Sequence, residues 1–181
     1  MKPLILIAYG TKHGSTREVA EVLGEALAEY GLDVETLPAG QVPEVARYAG
    51  VVVGGSLYMG RWHPASLAFV QHNAKALSKM PFAVFAMGPR TLDPADMAQS
   101  EEQLGRALAK VPQVDPCAVA IFGGVVDPKK LRFPLSKLPA SDARDWAQIR
   151  AWAGEVSNTF GYGKPARIAG EIHRELQQTP R

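Results

Sequence analysis

Short apolar runs alternate along this chain with longer segments in which apolar residues recur at helical spacing. The runs start near Leu4, Gly50, Phe82 and Pro116, and glycine follows each of them closely. Continuous apolar runs of this length are typical of strands that are buried on both faces of a parallel sheet. Asp33–Leu37 instead alternates polar and apolar residues, which predicts a half-exposed strand at an edge of the sheet.

The segments between these runs predict amphipathic helices. The predicted helices begin near Ser15, Pro64, Asp93 and Ser141. Val42–Tyr48 is compatible with one further short helix. Ser15 and Glu18 have the spacing of a capping box, so we expect Ser15 to cap the first helix and Ser141 to cap the last.

Strands and helices that alternate in this way predict an α/β fold, in which helices cover both faces of a five-stranded parallel sheet. The first strand is continuously apolar, which suits the middle of the sheet in such a three-layer sandwich. The second strand alternates polar and apolar residues, which suits an edge of the sheet. The strand order 2-1-3-4-5 satisfies both conditions. We expect residues 1–160 to form this single domain and residues 161–181 to form a tail with at most a short helix.

Composition and charge restrict the classes of protein to consider. The 181 residues are 46% hydrophobic and carry a formal net charge of +2, which suits one globular domain and argues against nucleic acid as a partner. No segment approaches the length of about 20 apolar residues that spans a bilayer. The first apolar run is too short for a secretory signal, so we expect a cytoplasmic protein. Cys117 lies in an apolar run and is expected to be buried.

Three turns should carry the chemistry, because ligands of such sheets bind beyond the carboxyl ends of the strands. They comprise residues 9–16, 54–63 and 87–94. The first turn combines hydroxyl groups, a glycine and the amides of a helix N-terminus, which suit a phosphate group. It lacks both the P-loop pattern and the dinucleotide fingerprint. Plain helix capping explains this turn equally well. Its candidate binding residues are Thr11, Lys12, His13, Gly14, Ser15 and Thr16.

The second and third turns offer side chains that could contact a flat ring. Tyr58 and Trp62 are able to stack on such a ring or, alternatively, to pack over the edge of the sheet. Gly60 permits a close approach of the backbone. His63 either shapes the start of the next helix or has a catalytic role. The candidate binding residues in these turns are Ser56, Leu57, Tyr58, Met59, Gly60, Trp62, Met87, Gly88, Pro89 and Arg90.

Taken together, the three turns resemble those of the flavodoxin superfamily, whose members carry a Thr/Ser-x-Thr-Gly-x-Thr turn after the first strand. Thr11, Gly14 and Thr16 match that pattern, whereas His13 replaces the middle threonine and removes one expected phosphate donor. The resemblance implies FMN as the cofactor, with its phosphate in the first turn. It also implies that the flavin ring lies beside the aromatic residues of the second turn, with its pyrimidine edge near Arg90.

Within the superfamily, the chain resembles the flavodoxin-domain group that includes the protoporphyrinogen dehydrogenases. The resemblance rests on the segment Val52–Ser56, on Gly60 and His63, and on Asp145-Trp146 at the start of the last helix. It implies an FMN-dependent oxidoreductase that exchanges electrons with a small-molecule or protein partner, with a quinone as one candidate. The segment Val125–Ala140 is much shorter than the basic, hydrophobic insertion of that group. The sequence is compatible both with peripheral contact with a membrane and with a homodimer.

Two other functions are compatible with the same fold. A one-electron carrier flavodoxin is usually strongly acidic, so a net charge of +2 counts against it. A flavin-free scaffold module would give a colourless protein. The visible spectrum of the purified protein therefore separates the scaffold from both flavoproteins.

Overall fold

The structure is a computed structural model that describes residues 1–163. Its strands, in chain order, are β1 (Leu4–Gly10), β2 (Asp33–Pro38), β3 (Gly50–Tyr58), β4 (Arg61–Trp62), β5 (Phe82–Met87), β6 (Ala118–Phe122), β7 (Val125–Val126) and β8 (Ser141–Asp142). Five of them form a parallel sheet in the order β2-β1-β3-β5-β6. This confirms the predicted strand order, because β4 only extends β3 as an antiparallel hairpin and β7 pairs with β8 outside the sheet.

Helices cover both faces of the sheet, as predicted. They are α1 (Ser15–Ala28), α2 (Pro64–Leu77), α3 (Pro94–Leu108) and α4 (Trp146–Thr159). Successive side chains of a strand point to opposite faces, so β1 contributes to two separate cores. Ile5 and Ile7 pack with residues of α1 and α4, whereas Leu6 and Ala8 pack with residues of α2 and α3. Within residues 1–163, no helix combines the length and apolarity that crossing a membrane requires.

The path of the chain opens a crevice between β1 and β3. After β1 the chain enters α1 on one face, and after β3 it enters α2 on the other face. Glycines allow side chains to pack closely against the strands at this junction. A Cβ on Gly10 would lie 2.4 Å from Nδ1 of His63, and a Cβ on Gly55 would lie 2.6 Å from Nε1 of Trp62, so a larger residue would clash at either position. This point, where successive connections diverge, is where doubly wound sheets bind ligands.

The helix starts differ from the sequence prediction. The N-cap of α1 is Gly14, with a left-handed φ of 95° and no side-chain cap, and Ser15 is the first helical residue. The N-cap of α4 is Asp145, whose carboxylate accepts from the amide of Gln148 at 3.0 Å. Ser141 lies in β8 instead. Both serines were plausible caps by residue type, but neither occupies the position from which its hydroxyl could reach the free amides.

Two further expectations were wrong. Val42–Tyr48 is not a helix: only the single turn Ala39–Gln41 is helical, and Val42 is extended. Pro43 explains the extended Val42, because a residue before proline is disfavoured in the helical region. Cys117 is exposed, since β6 begins one residue later and forms an edge of the sheet. The short helix expected within residues 161–181 lies outside the described residues.

Candidate functional site

The three predicted turns meet at one cavity of about 340 Å³ at the carboxyl ends of β1, β3 and β5. We call it the loop cavity. The sequence-predicted residues that line it are Thr11, Lys12, His13, Ser15, Ser56, Leu57, Tyr58, Met59, Met87, Gly88 and Arg90. The structure therefore brings together side chains from positions that are far apart in the sequence.

The other predicted site residues lie near the loop cavity without lining it. Gly14 and Thr16 form the N-terminus of α1. Gly60 and Pro89 line a neighbouring cavity of about 200 Å³, which also contacts Arg90. Trp62 requires a correction: its side chain is buried in the core beneath α2 and α3 and does not line the loop cavity.

The position of Trp62 follows from the hairpin that precedes it. β4 pairs with β3 so that Trp62 lies opposite Leu57, and this register directs the indole toward the sheet. A buried indole removes a large apolar area from water, which favours this position over an exposed one. Tyr58 is consequently the aromatic residue of this turn that faces the cavity.

The first turn presents hydrogen-bonding groups that lack partners. The Thr11 hydroxyl accepts from the amide of Gly14 at 2.9 Å and closes the turn. The fully buried Thr16 Oγ1 and the buried His13 Nε2 have no hydrogen-bond partner among the described residues. Buried polar groups in native proteins are nearly always satisfied, so their lack of partners points to a polar ligand at this turn.

The electrostatics of this turn are positive. Burial lowers the pKa of His13, and the nearby Lys12 and Lys130 lower it further, so that its imidazole is neutral at pH 7. Asp127 opposes this shift. The ammonium of Lys130 donates to the carbonyl of His13 at 3.3 Å. Lys130 also lies 3.9 Å from a carboxylate oxygen of Asp127, whereas Lys12 has no salt-bridge partner among the described residues. A cation beside the N-terminus of a helix favours an anionic ligand.

The hairpin between β3 and β4 presents Tyr58 and Met59 at the rim of the cavity. Met59 and Gly60 both adopt positive φ values, of 49° and 76°, as a two-residue hairpin turn requires. For a non-glycine residue such as Met59 this conformation costs about 1 kcal/mol. The turn leaves the Met59 side chain 81% exposed. Backbone strain of this kind is often found where a side chain is held in position for binding.

A fourth segment, which lies outside the three predicted turns, completes the cavity. Residues 123–144 connect β6 to α4, and they line the cavity with Gly124, Val125, Val126, Leu131, Leu135 and Leu138. The recurrence of leucine at positions 131, 135 and 138 was the available signal. The side chains of these leucines give the polar first turn an apolar opposite wall.

Arg144 anchors this fourth segment to α1. Its guanidinium donates to Asp142 at 2.6 Å and to Glu18 of α1, and it lies 4.6 Å from the centroid of the Trp146 ring. The side chain is only 10% exposed. The carboxylate of Asp142 raises the pKa of Arg144, and Arg144 lowers the pKa of Asp142. The loop that lines the cavity is thereby tied to the helix that begins at the first turn.

Comparison with known proteins gave two consistent findings. Residues 6–135 match the family model described as a flavodoxin domain. The protoporphyrinogen IX dehydrogenase [quinone] of Escherichia coli K12 is 27% identical over 175 residues, which cover 87% of this chain and 96% of that protein.

Solved structures of flavodoxins share the fold. Oxidised flavodoxin 2 from Bacillus cereus superimposes with a TM-score of 0.58 at 18% identity, covering 86% of this chain and 99% of that one. A short-chain flavodoxin associated with a bacterial microcompartment gives a TM-score of 0.60 at 15% identity. The match covers 88% of this chain and 99% of that one. At this level of identity, the likeness is one of architecture.

Proposed function

The chain belongs to the flavodoxin domain family, and we propose that it is an FMN-dependent oxidoreductase of the protoporphyrinogen dehydrogenase type with a quinone as electron acceptor. FMN is the cofactor implied by the family, which confirms that prediction from the sequence. The observation that carries the proposal is the loop cavity, where the first turn, with its unpartnered polar groups, lies beside the aromatic side chain of Tyr58. The near full-length likeness to the dehydrogenase supports the choice of reaction.

The residues of the cavity fit FMN. Thr11, His13, Ser15 and Thr16 would hold the phosphate, because the first turn has buried donors without partners beside a helix N-terminus. The volume of about 340 Å³ falls within the range of small-molecule sites. The mostly apolar remainder of the wall would hold the ring.

When bound, FMN supplies a ring that accepts a hydride equivalent and passes the electrons on. The protein's own contribution is binding and shielding. Tyr58 and Met59 would form one wall against the ring, while the leucines of residues 131–138 would keep water out. Arg90 places a fixed positive charge in the cavity wall, which favours negative charge on the bound group.

No acid–base pair is required for this chemistry. The ionisable residues that line the loop cavity are Lys12, His13, Tyr58 and Arg90, and within residues 1–163 no carboxylate lines it. Such a site orients the cofactor and adjusts its charge environment while the cofactor performs the electron transfer.

The surface next to the cavity supports a membrane-borne quinone as acceptor. Phe133 is 75% exposed, and the ammonium of Lys137 lies 5.3 Å from the centroid of its ring. Lys129, Lys130 and Arg132 lie nearby in the sequence and are exposed. An apolar side chain among cations is typical of peripheral contact with an anionic bilayer. A one-electron carrier would instead use an acidic docking surface.

The direct test is an anaerobic assay with FMN-loaded protein, protoporphyrinogen and menaquinone, followed by the fluorescence of the porphyrin product. We expect porphyrin formation that depends on both FMN and the quinone. FMN-free protein is the matched control. Absence of turnover by fully loaded, folded protein would exclude this reaction while leaving the flavoprotein assignment intact.

A further inference from the structure

A second cavity, of about 580 Å³, lies between the loop cavity and the start of α2. We call it the side cavity. Lys12, Ser56, Tyr58 and Met59 line both cavities, so that these residues form a shared wall. A molecule in the side cavity would therefore be in contact with the residues that we expect to contact the cofactor.

The side cavity is positively charged. Its charged residues are Lys12 and Arg61, and within the described chain neither carboxylates nor salt-bridge partners accompany them. Arg17, Arg106 and Arg150, by contrast, each pair with a glutamate. Two cations that lack a carboxylate partner within the described chain favour a ligand that carries an anionic group.

His63 adds a hydrogen-bond donor to this wall. Its Nδ1 accepts from the amide of Ala65 at 3.2 Å and thereby caps α2. The neutral imidazole must then carry its proton on Nε2. Burial lowers the pKa of His63, so the neutral form predominates at pH 7. The ring lies over Gly10 of β1, where a Cβ would be only 2.4 Å from Nδ1 of His63, so the imidazole fits here because residue 10 has no side chain.

We infer that the side cavity binds the anionic group of a second, flat substrate: Arg61 and Lys12 hold a carboxylate or phosphate, and Nε2–H of His63 donates to it. The apolar part of this substrate packs on Tyr58 and Met59, next to the cofactor. The inference rests on the proposed function, in which FMN occupies the loop cavity. Arg61 and His63 line the side cavity and not the loop cavity, so these two residues would determine the specificity for the anionic group of the second substrate.

The test uses FMN-loaded protein and two flat probes that differ in charge, 2-naphthoate and the neutral 2-naphthamide. Calorimetry measures their affinity, and the visible spectrum of the bound flavin reports whether the probe lies beside it. We expect naphthoate to bind at least about tenfold more tightly than naphthamide and to perturb the flavin spectrum. Equal affinities, or binding without a spectral change, would overturn the inference.

Variants identify the residues involved. Arg61→Gln should remove most of the preference for naphthoate, and the matched Arg106→Gln on α3 should retain it. His63→Ser keeps a capping oxygen for α2 but lacks the imidazole. This variant should bind naphthoate about threefold or more weakly than wild type, without a lower urea midpoint of unfolding. A preference that survives both Arg61→Gln and His63→Ser would contradict the inference.

Two additional measurements separate the possible outcomes. Displacement of naphthoate by NADP⁺ in an Arg61-dependent manner would identify a phosphate as the natural anion, and lack of displacement would favour a carboxylate. FMN affinity is measured on the same samples. Failure to bind FMN would refute the proposed function, whereas normal FMN binding without naphthoate selectivity would refute only the side cavity as an anion site.

Discussion

The ammonium of Lys12 lies 4.5 Å from the centroid of the Tyr58 ring. This contact joins the first turn, which we expect to bind phosphate, to the hairpin at the end of β3. A cation–π contact at such a partly exposed position contributes about 0.5–1 kcal/mol. Both residues belong to the wall shared by the loop cavity and the side cavity. The position of Tyr58 is therefore the first feature to test by mutation.

Tyr58→Leu should weaken FMN binding about five- to thirtyfold, because an aliphatic side chain loses both the stacking face and the contact with Lys12. Tyr58→Phe retains the ring and should bind FMN within about threefold of wild type. Fluorescence titration of FMN measures both variants. Equal losses in the two variants would show that the hydroxyl, and not the ring, contributes to binding.

Gly14 should be sensitive to substitution for conformational reasons alone. Its φ is 95°, yet a Cβ there would meet no atom within 4 Å. Gly14→Ala should therefore destabilise the FMN-free protein by about 1 kcal/mol through strain. Gly105→Ala is the control, because this exposed glycine lies within α3 and also has open space around it.

The control should change stability in the opposite direction. Alanine in a helix interior is favoured over glycine by about 0.5–1 kcal/mol, so Gly105→Ala should stabilise the protein. Urea unfolding compares both variants with wild type. Changes of the same sign would contradict the left-handed N-cap at Gly14.

The stability of the FMN-free protein should fall as the pH drops below about 6.5, the ordinary pKa of histidine in an unfolded chain. Burial lowers the pKa values of His13 and His63 in the folded state. Below pH 6.5 the unfolded chain then binds more protons than the folded one, so that protonation favours unfolding. Well above pH 6.5 both imidazoles are neutral in the folded and in the unfolded chain, so this contribution to stability is fully present.

Urea midpoints at about pH 7.5 and pH 5.5 measure this effect, because carboxylates stay ionised over most of that range. The double variant His13→Asn, His63→Asn should lose less than half as much stability as wild type between these two values. Asparagine at position 63 keeps a capping group for α2. An unchanged pH dependence in the double variant would assign the effect to other groups.

Arg144 should contribute far more to stability than an ordinary surface arginine. Arg144→Ala removes hydrogen bonds to Glu18 and Asp142 as well as the stacking on Trp146, which predicts a loss of about 2 kcal/mol. Arg150→Ala removes only exposed pairs with Glu25 and Glu29, and should cost no more than about 0.5 kcal/mol. Chemical denaturation of the two variants compares them directly, and similar losses would contradict the anchoring role.

The order of the strands was predictable from the sequence because it depends on local patterns. Continuous apolar runs identify central strands, and the alternation in Asp33–Leu37 identified the edge strand β2. Once the order is known, topology alone brings the ends of β1, β3 and β5 together. The positions of Tyr58 and of the first turn followed from this reasoning.

The remaining features depend on contacts between distant residues. Trp62 is buried because its register with Leu57 directs it inward, and residue type alone does not reveal a register. The segment containing Leu131 joins the site through pairing of β7 with β8 and through the contact of Arg144 with Glu18, 126 positions away. No local pattern encodes contacts of this range.

The central claim is that the loop cavity binds FMN with its phosphate at the first turn, and a comparison of FMN with riboflavin tests it most directly. Riboflavin lacks only the phosphate. We expect wild type to bind one FMN per chain and to bind riboflavin at least about tenfold more weakly. Thr16→Val, which removes the buried hydroxyl that has no partner among the described residues, should reduce this difference and leave riboflavin binding unchanged. Equal binding of the two flavins by wild type, or no binding of FMN by folded protein, would contradict the account.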